Sequence, residues 1–219
     1  MQPDARIDYA ENISFFSFDG APWSDSYKDG GAIVCLKVYT VADDTKIINN
    51  KDISVDYGGG KYFSVKVVTA DGHAVGAGAK VTFTINKNTK TVTTDKNGIA
   101  KIKITDIPKK YTITTKYKGK TYKNTVAVKQ VLKASKVTVK KTIKKFTLKS
   151  TLKINGKLQK GKLITFKFNG KTYKVKTNAK GVAQKTLNKK VINKLKKGKT
   201  YAVKVTYKKD TLKTTVKVK

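Results

Sequence analysis

From about residue 30 onward the chain alternates apolar with polar positions at a period of two. The runs KVTFTI, KIKIT, YTITTKY, KVTVKK, LITFKF and YAVKVTY all follow this pattern. Such alternation marks strands with one face in a core and the other in water, as antiparallel sheets present them. Val81, Phe83 and Ile85 are therefore expected inside, with Lys80, Thr82 and Thr84 outside. Turn residues fall between the runs at Asp71-Gly72, Asn97-Gly98, Lys118-Gly119, Asn155-Gly156 and Asn169-Gly170. Asn169-Gly170, set between ITFKF and KTYKV, is the clearest hairpin signal, because Asn-Gly tolerates the left-handed backbone of a two-residue turn. Only KKVINKLKKG has helical spacing, with Val191, Ile192 and Leu195 on one face and Gly198 as a stop.

The strand pattern occurs twice. At an offset of 83, Phe63 aligns with Phe146, Gly78 with Gly161, Thr82 with Thr165, Phe83 with Phe166, Asn86 with Asn169, Thr94 with Thr177, Gly98 with Gly181 and Ala100 with Ala183. At an offset of 90, Tyr111 aligns with Tyr201, Tyr117 with Tyr207, Val126 with Val216 and Val128 with Val218. The shift places a seven-residue insertion at KKVINKLKKG in the second copy. Units of this size and strand spacing predict an all-β chain of tandem antiparallel β-sandwich domains, residues 45–131 and 132–219, joined without a Pro- or Gly-rich linker. Residues 1–44 match neither copy and are expected to be the tail of a preceding β domain, with AIVCLKVYTV as one strand.

Charge changes the picture most. The 219 residues carry 49 basic and 14 acidic side chains, a formal net charge of +35. Residues 72–219 hold only 3 of the acids and 42 lysines, and no carboxylate side chain occurs between Asp106 and Asp210. Paired-carboxylate hydrolysis, calcium ligation and acid-assisted isopeptide crosslinking cannot be assembled from that stretch. So strong a charge calls for an anionic environment. Arg6 is the only arginine, so the attraction is that of hydrated ammonium groups rather than of bidentate guanidinium forks.

Single residues add little chemistry. Cys35 is the only cysteine, which excludes an intrachain disulfide and a zinc cluster and reads as a buried, inert thiol. His73, the only histidine, sits beside a turn and reads as a loop residue, not a catalytic base. Asp19, Asp25 and Asp29 surround Trp23 without the spacing of a calcium loop, and read as a polar loop with Trp23 packed at a domain boundary. Tyr111, Tyr117, Tyr122, Tyr173, Tyr201 and Tyr207 recur at repeat-related positions, which favours a structural task such as a tyrosine corner over ligand stacking. Asn12-Ile13-Ser14 meets the N-glycosylation pattern. No catalytic, cofactor-binding or metal-binding residue is assigned.

The order TKIINNKDISV, VKVVTADGHAV, AKVTFTI, TVTTDKNGIAKIKI and YTITTKYKGKTY resembles the bacterial Ig-like repeats of large adhesin-like surface proteins from methanogenic archaea. TTDKNGIA, echoed as KTNAKGVA in the second copy, is similar to the turn those repeats use. The resemblance covers residues 45–219. It implies immunoglobulin-like sandwiches, export, and a role in display or adhesion, with no enzymatic activity and no cofactor. The N-terminal residues lack the basic end and apolar core of a secretion signal, so the chain is expected to be a fragment of a longer exported protein. No apolar run reaches the roughly 20 residues that span a bilayer.

The resulting expectation is a non-enzymatic surface stalk or binding module. Its basic repeats would attach to an anionic wall polymer or surface glycan, and its other partners would be further repeats of the same protein. Lys140, Lys141, Lys144, Lys145, Lys196, Lys197 and Lys199 are the candidate contacts. Two alternatives stand beside it: a nonspecific polyanion- or nucleic-acid-binding protein without sequence readout, and the accessory array of a surface enzyme whose catalytic domain lies upstream.

Overall fold

The computed structural model describes residues 44–219, together with the backbone of residues 13–14 and 39–40. Asn12, Asp19, Trp23, Asp25, Asp29 and Cys35 lie outside the described residues. Of AIVCLKVYTV, the described part is β2 (Tyr39–Thr40), which pairs antiparallel with β1 (Ile13–Ser14).

Between residues 44 and 129 the alternating runs become β3 (Lys46–Ile48), β4 (Ile53–Asp56), β5 (Tyr62–Val68), β6 (Lys80–Ile85), β7 (Asn88–Thr93), β8 (Ile99–Lys103), β9 (Lys109–Tyr117) and β10 (Lys120–Lys129). One sheet has the order β4-β10-β9-β6-β7 and the other β3-β5-β8. The second set is β11 (Leu132–Lys133), β12 (Val137–Val139), β13 (Lys145–Ile154), β14 (Lys157–Leu158), β15 (Leu163–Phe168), β16 (Lys171–Lys176), β17 (Val182–Asn188), helix α1 (Lys189–Asn193), β18 (Thr200–Tyr207) and β19 (Asp210–Val218). Its sheets are β12-β19-β18-β15-β16 and a β13-centred sheet in which β13 pairs with β11, β14 and β17.

Strand for strand, apart from the added β14 and α1, the two sets share one topology. The first segment of each pairs in one sheet and then crosses to pair with the last strand of the other, as β4 does with β10 and β12 with β19. These are the two parallel pairings among the described strands; the rest are antiparallel. A two-sheet sandwich with a first strand divided between the sheets is immunoglobulin-like, so the chain is a tandem of immunoglobulin-like β-sandwiches.

Inward positions supply the core. Phe83 and Phe166 are fully buried at equivalent places in β6 and β15, and Tyr117 and Tyr207 are buried at the ends of β9 and β18. Phe63 meets Phe83 edge-on across the two sheets, with ring centroids 5.9 Å apart. The pairing of Phe63 with Phe146 in the 83-residue offset is corrected by register. Phe63 lies opposite Ile102, whereas Leu148 lies opposite Lys185, the repeat equivalent of Ile102. Leu148 is thus the counterpart of Phe63, and β13 is displaced by two residues because its following loop is two residues shorter. A two-residue step keeps every side chain on its face, so Phe146 is also buried, where it meets Phe168 at 5.9 Å.

Local chemistry explains the repeated motifs. Asn169 and Gly170 have φ of 44° and 75°, the two left-handed positions of a tight hairpin turn. The TTDKNGIA and KTNAKGVA segments are not hairpins but corners where the chain changes sheet between β7 and β8 and between β16 and β17. Asp95 Oδ1 accepts the Asn97 and Ile99 N–H groups at 2.9 and 3.0 Å, and Asn178 Oδ1 accepts those of Lys180 and Val182 at 3.0 Å each. Gly98 and Gly181 are required there: a Cβ would stand 2.6 Å from the Val67 carbonyl oxygen and 2.8 Å from that of Leu152. Two of the six tyrosines close the corner before β9 and β18. Tyr111 donates its hydroxyl to the Ile107 carbonyl at 2.8 Å, and Tyr201 accepts the Lys196 N–H at 2.7 Å.

Only Gln130 and Val131 separate β10 from β11. Asp210, buried at the start of β19, accepts the Val131 and Leu132 N–H groups at 2.9 and 3.3 Å and the Gln130 side-chain amide at 3.3 Å. Across the joint, Asn155 donates its backbone N–H to Asp56 Oδ2 and its side-chain amide to the Gly59 carbonyl, both at 2.7 Å. Lys209 donates its N–H to the hydroxyl of buried Tyr57 at 3.2 Å. Gly59 leaves room for this docking, since its missing Cβ would lie 2.6 Å from Asn155 Oδ1.

Phe83→Ala and Phe166→Ala are each expected to cost about 3–5 kcal/mol in denaturant melts, while Lys80→Ala stays nearly neutral. Asp210→Ala leaves two buried N–H groups without an acceptor and is expected to cost about 1–3 kcal/mol in the same measurement.

Candidate functional site

The second sandwich has one end at the joint and a far end where several lysine-bearing segments meet. The parallel β12–β19 pairing and the antiparallel pairings of β13, β15, β17 and β18 bring together the residue 140–144 loop, the α1 segment, the Asn169-Gly170 turn and Lys219. Helix α1 is short, and Ile192 and Leu195 anchor it by burial, with Val191 half-buried beside them. Leu195 falls in the turn after the helix, where its N–H bonds the Ile192 carbonyl at 2.9 Å. Gly198, at φ 80°, then returns the chain to β18.

All seven candidate lysines lie at this end. Lys140, Lys144, Lys145, Lys196 and Lys197 are exposed. Lys141 is half-buried, and its ammonium bonds the carbonyl oxygens of Ile192 and Asn193 at 3.4 and 3.0 Å, where the C-terminal partial negative charge of α1 favours a cation. Lys141 is thereby engaged within the fold. Lys189 reaches the Lys141 carbonyl at 2.7 Å, which ties the two segments into one surface. Lys199 lies over the ring of Tyr201 at 5.6 Å.

No carboxylate side chain offsets this charge, because the only acid after Asp106 is Asp210, buried at the joint. Beside the end runs an open cleft between the β16 edge and α1, bordered by Lys171, Tyr173, Lys185, Lys190, Asn193 and Lys194. Lys185 stands 5.6 Å from the Tyr173 ring centre. Strand pairing, which runs of sequence do not show, sets Lys167, Lys204 and Lys213 side by side among the exposed cations of this unit.

Asp52, Asp71 and Asp95 of the first sandwich are engaged locally. The backbone N–H of Thr125 holds the Asp52 carboxyl below its ordinary value, and that of Ile99 does the same for Asp95. Asp71 is lowered to about 2, first by the Thr69 hydroxyl and then by His73, whose ring nitrogen lies 2.6 Å away. His73 and Asp71 are both exposed in the loop after β5. Among the described residues, no three His, Cys, Asp or Glu side chains gather as a metal site, and no helix is long and apolar enough to cross a membrane.

No family model and no curated protein sequence matches this chain. Solved structures similar to it include invasin, a bacterial integrin-binding protein, at 19% identity and a TM-score of 0.32 over 80% of this chain. The I9-I11 tandem of titin matches at 14% and 0.40 over 80%, and the D0-D1 domain of intimin at 18% and 0.30 over 79%. The match spans 38% of the invasin chain, 66% of the titin tandem and 94% of the intimin fragment. At such identities and scores, the fold assignment rests on the strand pairing of the chain itself.

Asp71 is expected to titrate near 2 in carbon-detected NMR. Because its folded value is depressed, its contribution to the loop is complete above the ordinary value of 3.8 and is lost as pH falls towards 2. Thr69→Val, which removes the largest cause, should move the midpoint back towards 3.8.

Proposed function

We propose that this chain is a non-enzymatic stalk and binding module of an adhesin-like cell-surface protein. In this reading it is akin to the Ig-like repeats of methanogen surface proteins, and its lysine-rich second sandwich holds an anionic wall polymer or surface glycan. The observation that carries the reading is the far end of that sandwich, where six exposed lysines from two segments meet beside Lys141 with no carboxylate side chain nearby. A surface built for solubility alone would mix both signs.

The architecture suits a serial role. Each sandwich receives the chain at one end and releases it at the other, because its entering and leaving strands run parallel. The two-residue connection and the hydrogen bonds of Asp210, Asn155 and Tyr57 hold successive units in register as parts of one array. Lysine without arginine favours diffuse attraction over sequence readout, so nucleic acid is not the preferred partner.

Pull-down of the whole chain on immobilised acidic polysaccharide and on DNA, at low and at physiological salt, tests the proposal. Retention should weaken at least about tenfold between 50 and 200 mM salt, as several released counterions require. Tight, salt-insensitive binding to a neutral sugar, or no retention on any polyanion at low salt, would overturn it.

A further inference from the structure

The register of the five-stranded sheet in the second sandwich places three lysines in one line across it. Lys167 of β15 lies directly opposite Lys204 of β18, and Lys204 directly opposite Lys213 of β19. All three are exposed and point away from the core, since their neighbours Phe166, Phe168, Val203, Val205 and Thr214 face inward. Lys174 and Lys217 extend the charge on the same outer face, with Thr165, Thr206 and Thr211 forming a neighbouring hydroxyl row.

Like charges set directly opposite one another across strands oppose folding. The first sandwich avoids that arrangement. Its equivalent row is Thr84, Thr114 and Lys123, paired in the same register, and Thr84 closes a hydroxyl contact with Thr89 at 2.9 Å. Within one chain, therefore, the same row of the same sheet carries one cation in the first unit and three adjacent cations in the second.

We propose that this outer face is a docking surface for an extended acidic polysaccharide, which crosses the strands along Lys167, Lys204 and Lys213. The inference rests on the polyanion-binding reading above and assigns it a place and a ligand geometry. Neighbouring strands lie about 4.8 Å apart, so the row offers one ammonium per strand at that interval. A polysaccharide with one carboxylate or sulfate on each sugar presents anions in single file, and the adjacent threonines offer hydroxyls to its sugar hydroxyls. Duplex DNA instead presents two phosphate strands flanking a groove, with charge every ~1.7 Å of axis, and gains nothing from a single line on a flat face.

The test titrates the whole chain with linear polygalacturonate at physiological salt. Lys167→Thr/Lys204→Thr restores the row of the first sandwich with residues suited to strands. Lys90→Thr/Lys103→Thr, on exposed strand positions of the first sandwich, removes the same charge elsewhere. The row variant should lose at least about tenfold in affinity and the control under about twofold, because only local charges are coupled to the ligand within the screening length. Lys204→Thr alone should raise Tm by a few degrees at low salt, about what relief of two like-charge pairs supplies. Equal losses in the two double variants would reduce the effect to net charge and overturn the proposal. A row-dependent loss of the same size for duplex DNA would overturn its choice of ligand. A wild-type chain that binds DNA or dextran sulfate at low salt but shows no row effect defeats this inference alone. One that binds no polyanion defeats the underlying reading as well.

Discussion

The apolar layer between each pair of sheets must hold together a molecule whose outer surfaces repel one another. With 42 lysines and 3 acids after residue 71, the outward faces contribute little cohesion, and exposed ion pairs would add little in any case. Cohesion comes from Phe63 and Phe83 in one unit and from Phe146, Phe166 and Phe168 in the other, supported by buried valines, isoleucines and leucines. The strict alternation of inner and outer residues follows. A register slip of one residue would place lysine in the layer, whereas the two-residue step of β13 is tolerated.

Much of this was legible in the sequence because its signals are local. Alternation identified the strands and their inward faces, Asn169-Gly170 identified a hairpin, and the repeated spacing located the insertion that became α1. Signals that depend on distant pairing were not legible. Nothing near Phe146 distinguishes an offset of 83 from one of 85, since both leave a large apolar residue facing inward. TTDKNGIA is legible as the turn of an Ig-like repeat, but only the partners of β7 and β8 reveal that the chain changes sheet there. The candidate surface divides in the same way. Runs such as Lys140-Lys141 and Lys196-Lys197 stand out in the chain, but Lys167, Lys204 and Lys213 are isolated lysines that become neighbours only through the β15–β18–β19 register.

The two copies differ in their cores as well as on their surfaces: Ser150 stands where the first unit has Val65, and Lys185 where it has Ile102. Corner residues, tyrosine hydroxyl bonds and the buried Phe83 and Phe166 are shared, while Thr84 and Thr114 of the first unit give way to Lys167 and Lys204 in the second. Their joint uses few side chains: Asp210 and Gln130, Asn155 with its acceptor Asp56, Tyr57, and Gly59, which makes room for Asn155. Asp210 serves the joint rather than the basic surface, which explains how the second unit can carry an acid without neutralising its exposed charge.

The parallel pairing of first and last strands has a mechanical consequence. When tension is applied along the chain, β4 and β10 are drawn in opposite directions along their common axis, as are β12 and β19. The hydrogen bonds of each pair then carry the load together in shear instead of opening one after another from an end. A stalk made of such units resists extension at the seam where each enters and leaves, and the covalent connection through Gln130 and Val131 passes the load from one seam to the next.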